Sequence, residues 1–371
     1  MKKILYLLSI ASFCSCTTIK QLKNQEIKNL NNCTDIISDK KLVYFNTKID
    51  DKDVLMLFDT GATMSVIFDS TAINGFQQKK FGILGSVSGA DHKTSDLKTF
   101  TASFKNELFE SNNKVFAYLK KDLLKCQREN KFKGVVGLDV FFKNNNSLYL
   151  DFTNNKVCNI IDLEKNKKGF TKIKSKCKSN KIFIYVTIDN NEYEFKLDTG
   201  FSGTFSIPYN KDINLKKYNS IIFEGELFSS ATSKTNGEEQ FFEKVPIQIG
   251  DFNLTSKILV SKTIKNQNVG IQFIKAFDWI IDYKNNEVLI RKNKNIVESE
   301  NNKNAFQFMT SAEKERLIVT AKQKNLTKFK INDEIISVNN IAINPENICE
   351  MQNLLNSTTN WEDLKIDAKN N

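Results

Sequence analysis

Asp-Thr-Gly occurs twice in this chain, at 59–61 and at 198–200, and each copy closes an apolar run. At the constant offset of 139 that separates the two copies, the segment FNTKIDDKDVLMLFDTGATMS (45–65) lies over IYVTIDNNEYEFKLDTGFSGT (184–204) without a gap. Each reads as a strand, a polar turn (Asp50-Asp51-Lys52 or Asp189-Asn190-Asn191) and a second strand, because apolar residues are bounded by turn formers. Downstream, GVVGLDVFFKNNNSLYLDFTNNKV (134–157) matches NVGIQFIKAFDWIIDYKNNEV (268–288) in Val-Gly-Leu/Ile and in a later Asp-aromatic-x-Asn-Asn-x-Val. With ordinary Asp and Thr usage and only 14 glycines, one such tripeptide is expected roughly 0.05 times in a chain of this length. Coincidence is therefore a poor account of the pair. The repeat predicts two similar lobes, each built on a hairpin that delivers Asp-Thr-Gly.

Architecture alone does not require a carboxylate at the end of an apolar strand. Burying an ionised Asp is costly unless it is hydrogen-bonded or shares a proton. Two lobes related by a twofold axis place Asp59 opposite Asp198, so that each supplies what the other lacks. The sequence reading therefore makes these two the candidate catalytic residues.

The paired hydrophobic-Asp-Thr-Gly segments, with Val135-Val136-Gly137 and Asn268-Val269-Gly270 downstream, resemble those of the pepsin and retropepsin-like aspartic peptidases over about residues 40–293. The resemblance implies the acid-protease fold, a mainly β chain with two barrel-like lobes about a pseudo-twofold axis, and peptide-bond hydrolysis by a water activated between two carboxylates that hold one proton, without a cofactor or a metal. It also implies supporting roles. Thr60 and Thr199 would bond across the lobes beneath the pair, and Gly61 and Gly200 would let backbone approach the carboxylates. Thr63 and Ser202 would fix a carboxylate or the loop, and Val136, Gly137, Val269 and Gly270 would frame each site. This chain departs from the pepsin pattern, which has Ser or Thr after each Asp-Thr-Gly, by placing Ala62 and Phe201 there.

FGILGSVSGADHKTSDLKTFT (81–101) is where a first-lobe flap would fall. It holds no Tyr, but Gly82, Gly85 and Gly89 suit a mobile hairpin over the cleft, with Gly85 and Gly89 the candidate flap residues and an ungated surface loop the competing reading. His92, the single histidine, lies in the same polar stretch and reads as a solvated bystander. One histidine and no CxxC pair leave a zinc site unsupported.

The net charge of +11 is concentrated in two Lys/Asn-rich stretches, 164–181 and 291–304, which lack the interleaved aromatics of a base-stacking surface. They read as solvated linkers, and no nucleic-acid partner is expected. MKKILYLLSIASFCSC has two lysines and then an apolar run too short to span a bilayer, the pattern of a secretory signal. Its end resembles a bacterial lipoprotein processing site, which makes Cys16 the expected lipidation residue and tethers the protein to a membrane of the cell envelope. A plain secreted protein is the alternative. Of seven cysteines, five lie beyond Cys16, enough for one or two disulfides in an oxidising compartment, with no pairing assignable.

ERLIVTAKQKNLTKFKINDEIISVNNIAI (315–343) resembles the centre of a PDZ domain, with Asp333 ahead of Glu-Ile-Ile-Ser-Val-Asn and Asn332 where Gly is usual. That implies a peptide ligand added as a strand, against a simple packing module. The expected organisation is a signal at 1–16, a tether at 17–39, a first lobe at 40–162 and a basic interlobe linker at 163–180. A second lobe at 181–293 and a PDZ-like α+β domain at 305–371 complete a monomer. The expected activity is that of an aspartic endopeptidase on a peptide or protein substrate. Its rival is a non-catalytic peptide-binding envelope protein that keeps the same cleft.

Overall fold

A computed structural model describes residues 16–38, 42–88, 94–120, 126, 132–142, 146–160, 163, 166–211, 213–229, 234–294 and 307–369. The signal segment before Cys16, Gly89 and His92 lie outside the described residues. The protein is mainly β, with three sheets and barrel-like closure.

In the nine-stranded sheet, Val43–Ile49, Lys52–Phe58, Phe132–Val136, Val66–Ile67, Phe109–Tyr118 and Thr94–Lys105 pair in that order. The last strand closes on the first. The same order recurs in the thirteen-stranded sheet with Lys181–Ile188, Asn191–Asp198, Asn268–Gly270, Phe205–Pro208, Phe252–Ser261 and Lys234–Ile249. The polar turns foreseen from sequence have the backbone such turns need. Asp50, Asp51, Asp189 and Asn190 all have positive φ, a region Asp and Asn tolerate better than other side chains.

Alternation explains how these strands close. Lys181–Ile188 alternates exposed or partly exposed residues with fully buried Ile182, Ile184, Val186 and Ile188, so one face packs inward. The abundant phenylalanines fill the interiors: Phe45, Phe58, Phe104, Phe109 and Phe116 are fully buried in one ring, Phe195 and Phe205 in the other. Edge-to-face contacts such as Phe109–Phe141 at 4.7 Å suit the ring quadrupoles.

A six-stranded sheet joins the two parts of the chain. Cys33–Asp35, Lys156–Ile160 and Ser147–Asp151 come from the first, and Phe277–Asp282, Glu287–Lys292 and Thr171–Ile173 from the second. Its central seam pairs Leu148 with Ile281 and Leu150 with Trp279, all fully buried.

Two stretches expected to be unstructured are not. Within 17–39, the helix Cys16–Asn24 buries Thr18, whose hydroxyl donates to the Ile83 carbonyl at 2.9 Å, and the strands Lys28–Asn29, Cys33–Asp35 and Ile37–Ser38 are paired. Within 163–180, Thr171–Ile173 and Ser175–Lys178 pair with Glu287–Lys292 and Lys181–Ile188. Lysines at alternate positions of these edge strands face solvent, so the charge marks the outer face of a sheet rather than a free linker.

The C-terminal residues pack a separate apolar cluster, with Phe308, Phe329 and Trp361 in mutual contact. The hairpin Phe308–Glu313 and Arg316–Gln323 pairs with Glu334–Val338, and Arg316–Gln323 also pairs with Ser220–Ser229, extending the thirteen-stranded sheet. Among the described residues Cys33 is disulfide-bonded to Cys158 and Cys126 to Cys349, and Cys177 is free. No helix among the described residues is long and apolar enough to cross a membrane.

Candidate active site

Each Asp-Thr-Gly turn leaves the end of a strand and is held by a neighbour that runs parallel to it. Val136 pairs with Phe58, and the Asp59 N–H donates to the Val136 carbonyl at 3.1 Å. In the second copy Asp198 pairs with Gly270, whose N–H donates to the Thr204 carbonyl at 2.6 Å. Val136 and Val269 are fully buried. Gly137 and Gly270 have no room for a side chain: a Cβ would lie 2.8 Å from the Ala62 carbonyl oxygen and 2.3 Å from that of Gly203, respectively. That close crossing is what the framing glycines permit.

The two turns face each other and are cross-bonded. The Thr60 N–H donates to Thr199 Oγ1 at 2.9 Å, and the Thr199 N–H donates to Thr60 Oγ1 at 3.0 Å. Each hydroxyl in turn donates to the other strand's end, Thr60 to the Leu197 carbonyl at 2.9 Å and Thr199 to the Phe58 carbonyl at 2.8 Å. Both threonines are fully buried, so four bonds in a dry setting fix one turn against the other.

The carboxyls sit directly above this grip. A Cβ on Gly61 would lie 2.4 Å from Asp198 Cγ, and one on Gly200 would lie 2.5 Å from Asp59 Cγ, so each carboxyl rests against the opposite turn. The Gly61 N–H donates to Asp59 Oδ1 at 2.7 Å, and with each carboxyl against the opposite turn the Asp59 and Asp198 side chains are brought together. Burial, and next the charge of Asp198, push the Asp59 carboxyl up to about 7. Asp198 is 8% exposed, while Asp59 keeps a rim of accessible surface although protein crowds its carboxyl.

Lys196 is the site residue that sequence reasoning missed. Its ammonium lies 3.1 Å from Asp198 Oδ2 and donates to the Gly61 carbonyl at 3.3 Å. Burial opposes its charge, but Asp198 and then Asp59 outweigh burial and raise the ammonium above the usual lysine range. The signal was in KLDTG itself, since positions two apart on a strand share a face. A second omission is Ser65, fully buried, which donates to Asp139 Oδ1 at 2.8 Å and accepts from the Gly137 N–H at 3.2 Å. Lys114, also fully buried, pairs with Asp139 Oδ2 at 2.5 Å.

Other expected residues stand apart from the carboxyls. Thr63 is exposed, and its carbonyl accepts from Asn180 Nδ2 at 3.5 Å; Ser202 is partly buried. Neither hydroxyl bonds a carboxylate among the described contacts. Phe201 folds back over Gly270, where a Cβ would lie 2.6 Å from its ring, and its ring centroid is 6.2 Å from that of Phe228. Gly85 falls in the strand Gly82–Ser88 and pairs with Leu97 in a hairpin with Thr94–Lys105, next to a register irregularity. Cys16 opens the first helix.

No family model matches the chain, and no curated protein matches it.

Proposed function

We propose that the chain is an aspartic endopeptidase, and that its two rings are the lobes of an acid-protease fold, 40–162 and 181–293, joined through 163–180. One observation carries this reading: two Asp-Thr-Gly turns locked face to face by reciprocal threonine bonds, with the carboxyls of Asp59 and Asp198 each lying against the opposite turn. Like charges this close do not both ionise readily, so the pair holds one proton over a wide pH range. The ionised carboxyl takes a proton from a water between them, and the water oxygen attacks the scissile carbonyl carbon. The protonated carboxyl gives its proton to the carbonyl oxygen. Collapse of the resulting diol returns a proton to the departing amide nitrogen and leaves the pair as it began.

The tether belongs to the same proposal: cleavage of the signal before Cys16 and lipidation there would hold the enzyme on an envelope membrane, acting as a monomer on peptide or protein substrates. The C-terminal residues, 305–371, are a PDZ-like unit in this reading, and its contacts favour packing over peptide capture. The outer edge of Phe308–Glu313, where a peptide strand would add, is already engaged. The Thr310 and Ala312 N–H groups donate to Asn356 and Gln352 side chains of the helix Ile348–Ser357 at 2.8 and 3.1 Å.

The decisive experiment is cleavage of a peptide library by the purified protein and by Asp59→Asn and Asp198→Asn. Each variant is expected to lose at least about 10²-fold in kcat/KM, the scale of general acid/base catalysis. Parent-like cleavage by either would end the assignment. Phe201 and the Lys196 ion pair favour a second reading, a peptide-binding protein without turnover. That reading predicts equal affinity for a hydroxyethylene peptide and its plain counterpart, whereas a catalyst binds the transition-state mimic more tightly.

A further inference from the structure

The two halves of the site differ in one charge. Lys196 stands two residues before Asp198, and the matching residue before Asp59 is Leu57, an apolar side chain 7% exposed in a hydrophobic cluster. The Lys196 ammonium touches Asp198 Oδ2 and reaches across to the Gly61 carbonyl of the opposite turn. Neither residue following an Asp-Thr-Gly, Ala62 or Phe201, has a hydroxyl to offer a carboxylate, whereas the Lys196 ammonium is in direct contact with the pair.

We propose that Lys196 is a positioning residue that keeps the negative charge of the pair on Asp198 and the shared proton on Asp59, making Asp198 the base and Asp59 the acid. This rests on the aspartic peptidase reading above.

Other charged groups near Lys196 do not compete for it. On its own strand Glu194 accepts from the Tyr185 hydroxyl at 2.6 Å. On the adjacent strand its direct neighbour is Phe183, with Lys181 and Tyr185 two positions either side. The parallel strand Asn268–Gly270 is uncharged, and the opposite turn presents Asp59. The site with one shared proton therefore has no net charge: one carboxylate, one carboxyl and one ammonium. A cation within hydrogen-bond distance favours every deprotonated form of the pair. Its removal makes both the first and the second proton harder to lose, so both limbs of the pH profile move in the same direction.

The experiment compares the parent with Lys196→Met, Lys196→Gln and Lys196→Arg in the full chain. For Met and Gln, both limbs of the kcat/KM profile are expected to move up by roughly 1 to 3 pH units, with Arg keeping the parent limbs. A role confined to folding would lower the plateau and leave the limbs in place, and that result would overturn the proposal. In parallel, ¹³C carboxyl resonances of Asp59 and Asp198, assigned by their loss in Asp59→Asn and Asp198→Asn, are followed through pH. The proton steps of the pair should move up in the Met and Gln variants and stay at their parent positions in the Arg variant. Unchanged titration refutes Lys196's role whether or not any peptide is cleaved, and absence of cleavage in the parent alone refutes only the peptidase reading.

Discussion

Folding and pH are linked through Asp59, whose carboxyl burial and the Asp198 charge raise from 3.8 to about 7. Between those values the folded protein holds a proton that the unfolded chain has released. The stability from this group is therefore complete below 3.8 and is lost as pH rises through about 7. Asp59→Asn mimics the protonated form. It should be more stable than the parent by a few kcal/mol at about pH 8, with the gap closing near pH 4, as read by urea unfolding at both. Gly61→Ala tests the close approach of the turns: its Cβ would fall 2.4 Å from Asp198 Cγ, and crowding of that kind costs about 1 to 3 kcal/mol. The aspartates, threonines and glycines were legible because they repeat. Lys196 was not, because comparison of the two copies selects what matches and Lys196 stands over Leu57.

Two turns become one structure through Thr60 and Thr199. Thr199→Val removes the acceptor of the Thr60 N–H and the donor to the Phe58 carbonyl, leaving two buried groups unpaired. A loss of about 2 to 4 kcal/mol is expected in urea unfolding, with Thr199→Ser close to the parent. The double Thr60→Val, Thr199→Val variant should cost less than the sum of the single ones, since the two hydroxyls serve one network. The hairpins that carry these turns were readable from alternation and turn residues. The helix Cys16–Asn24 and the strands at 171–178 were not, because their sequences are polar and lysine-rich. They are held by edge pairing and a few bonds such as Thr18 to Ile83, which leave no apolar period to read.

Across the whole molecule, the disulfides close long loops. Cys33–Cys158 spans 125 residues and Cys126–Cys349 spans 223. Cross-links of this length stabilise by about 4 to 5 kcal/mol in the chain-entropy picture. Cys126→Ser with Cys349→Ser should lower the thermal midpoint while leaving the two rings folded, since that bond ties Cys126 to the C-terminal cluster and the rings have a core of their own. The pairing was beyond reach of the sequence because five candidate cysteines lie far apart along the chain and meet only through sheet topology. The same topology gives the shared six-stranded sheet a further consequence. Its central strands, Ser147–Asp151 and Phe277–Asp282, lie on either side of residues 166–170, which are exposed or half-buried, and Phe142 stacks on Tyr283 across the same join at 4.1 Å. A protease nick between Asn166 and Phe170 should therefore yield a two-chain protein that migrates as one species under native conditions. Its pieces should separate only after unfolding and reduction.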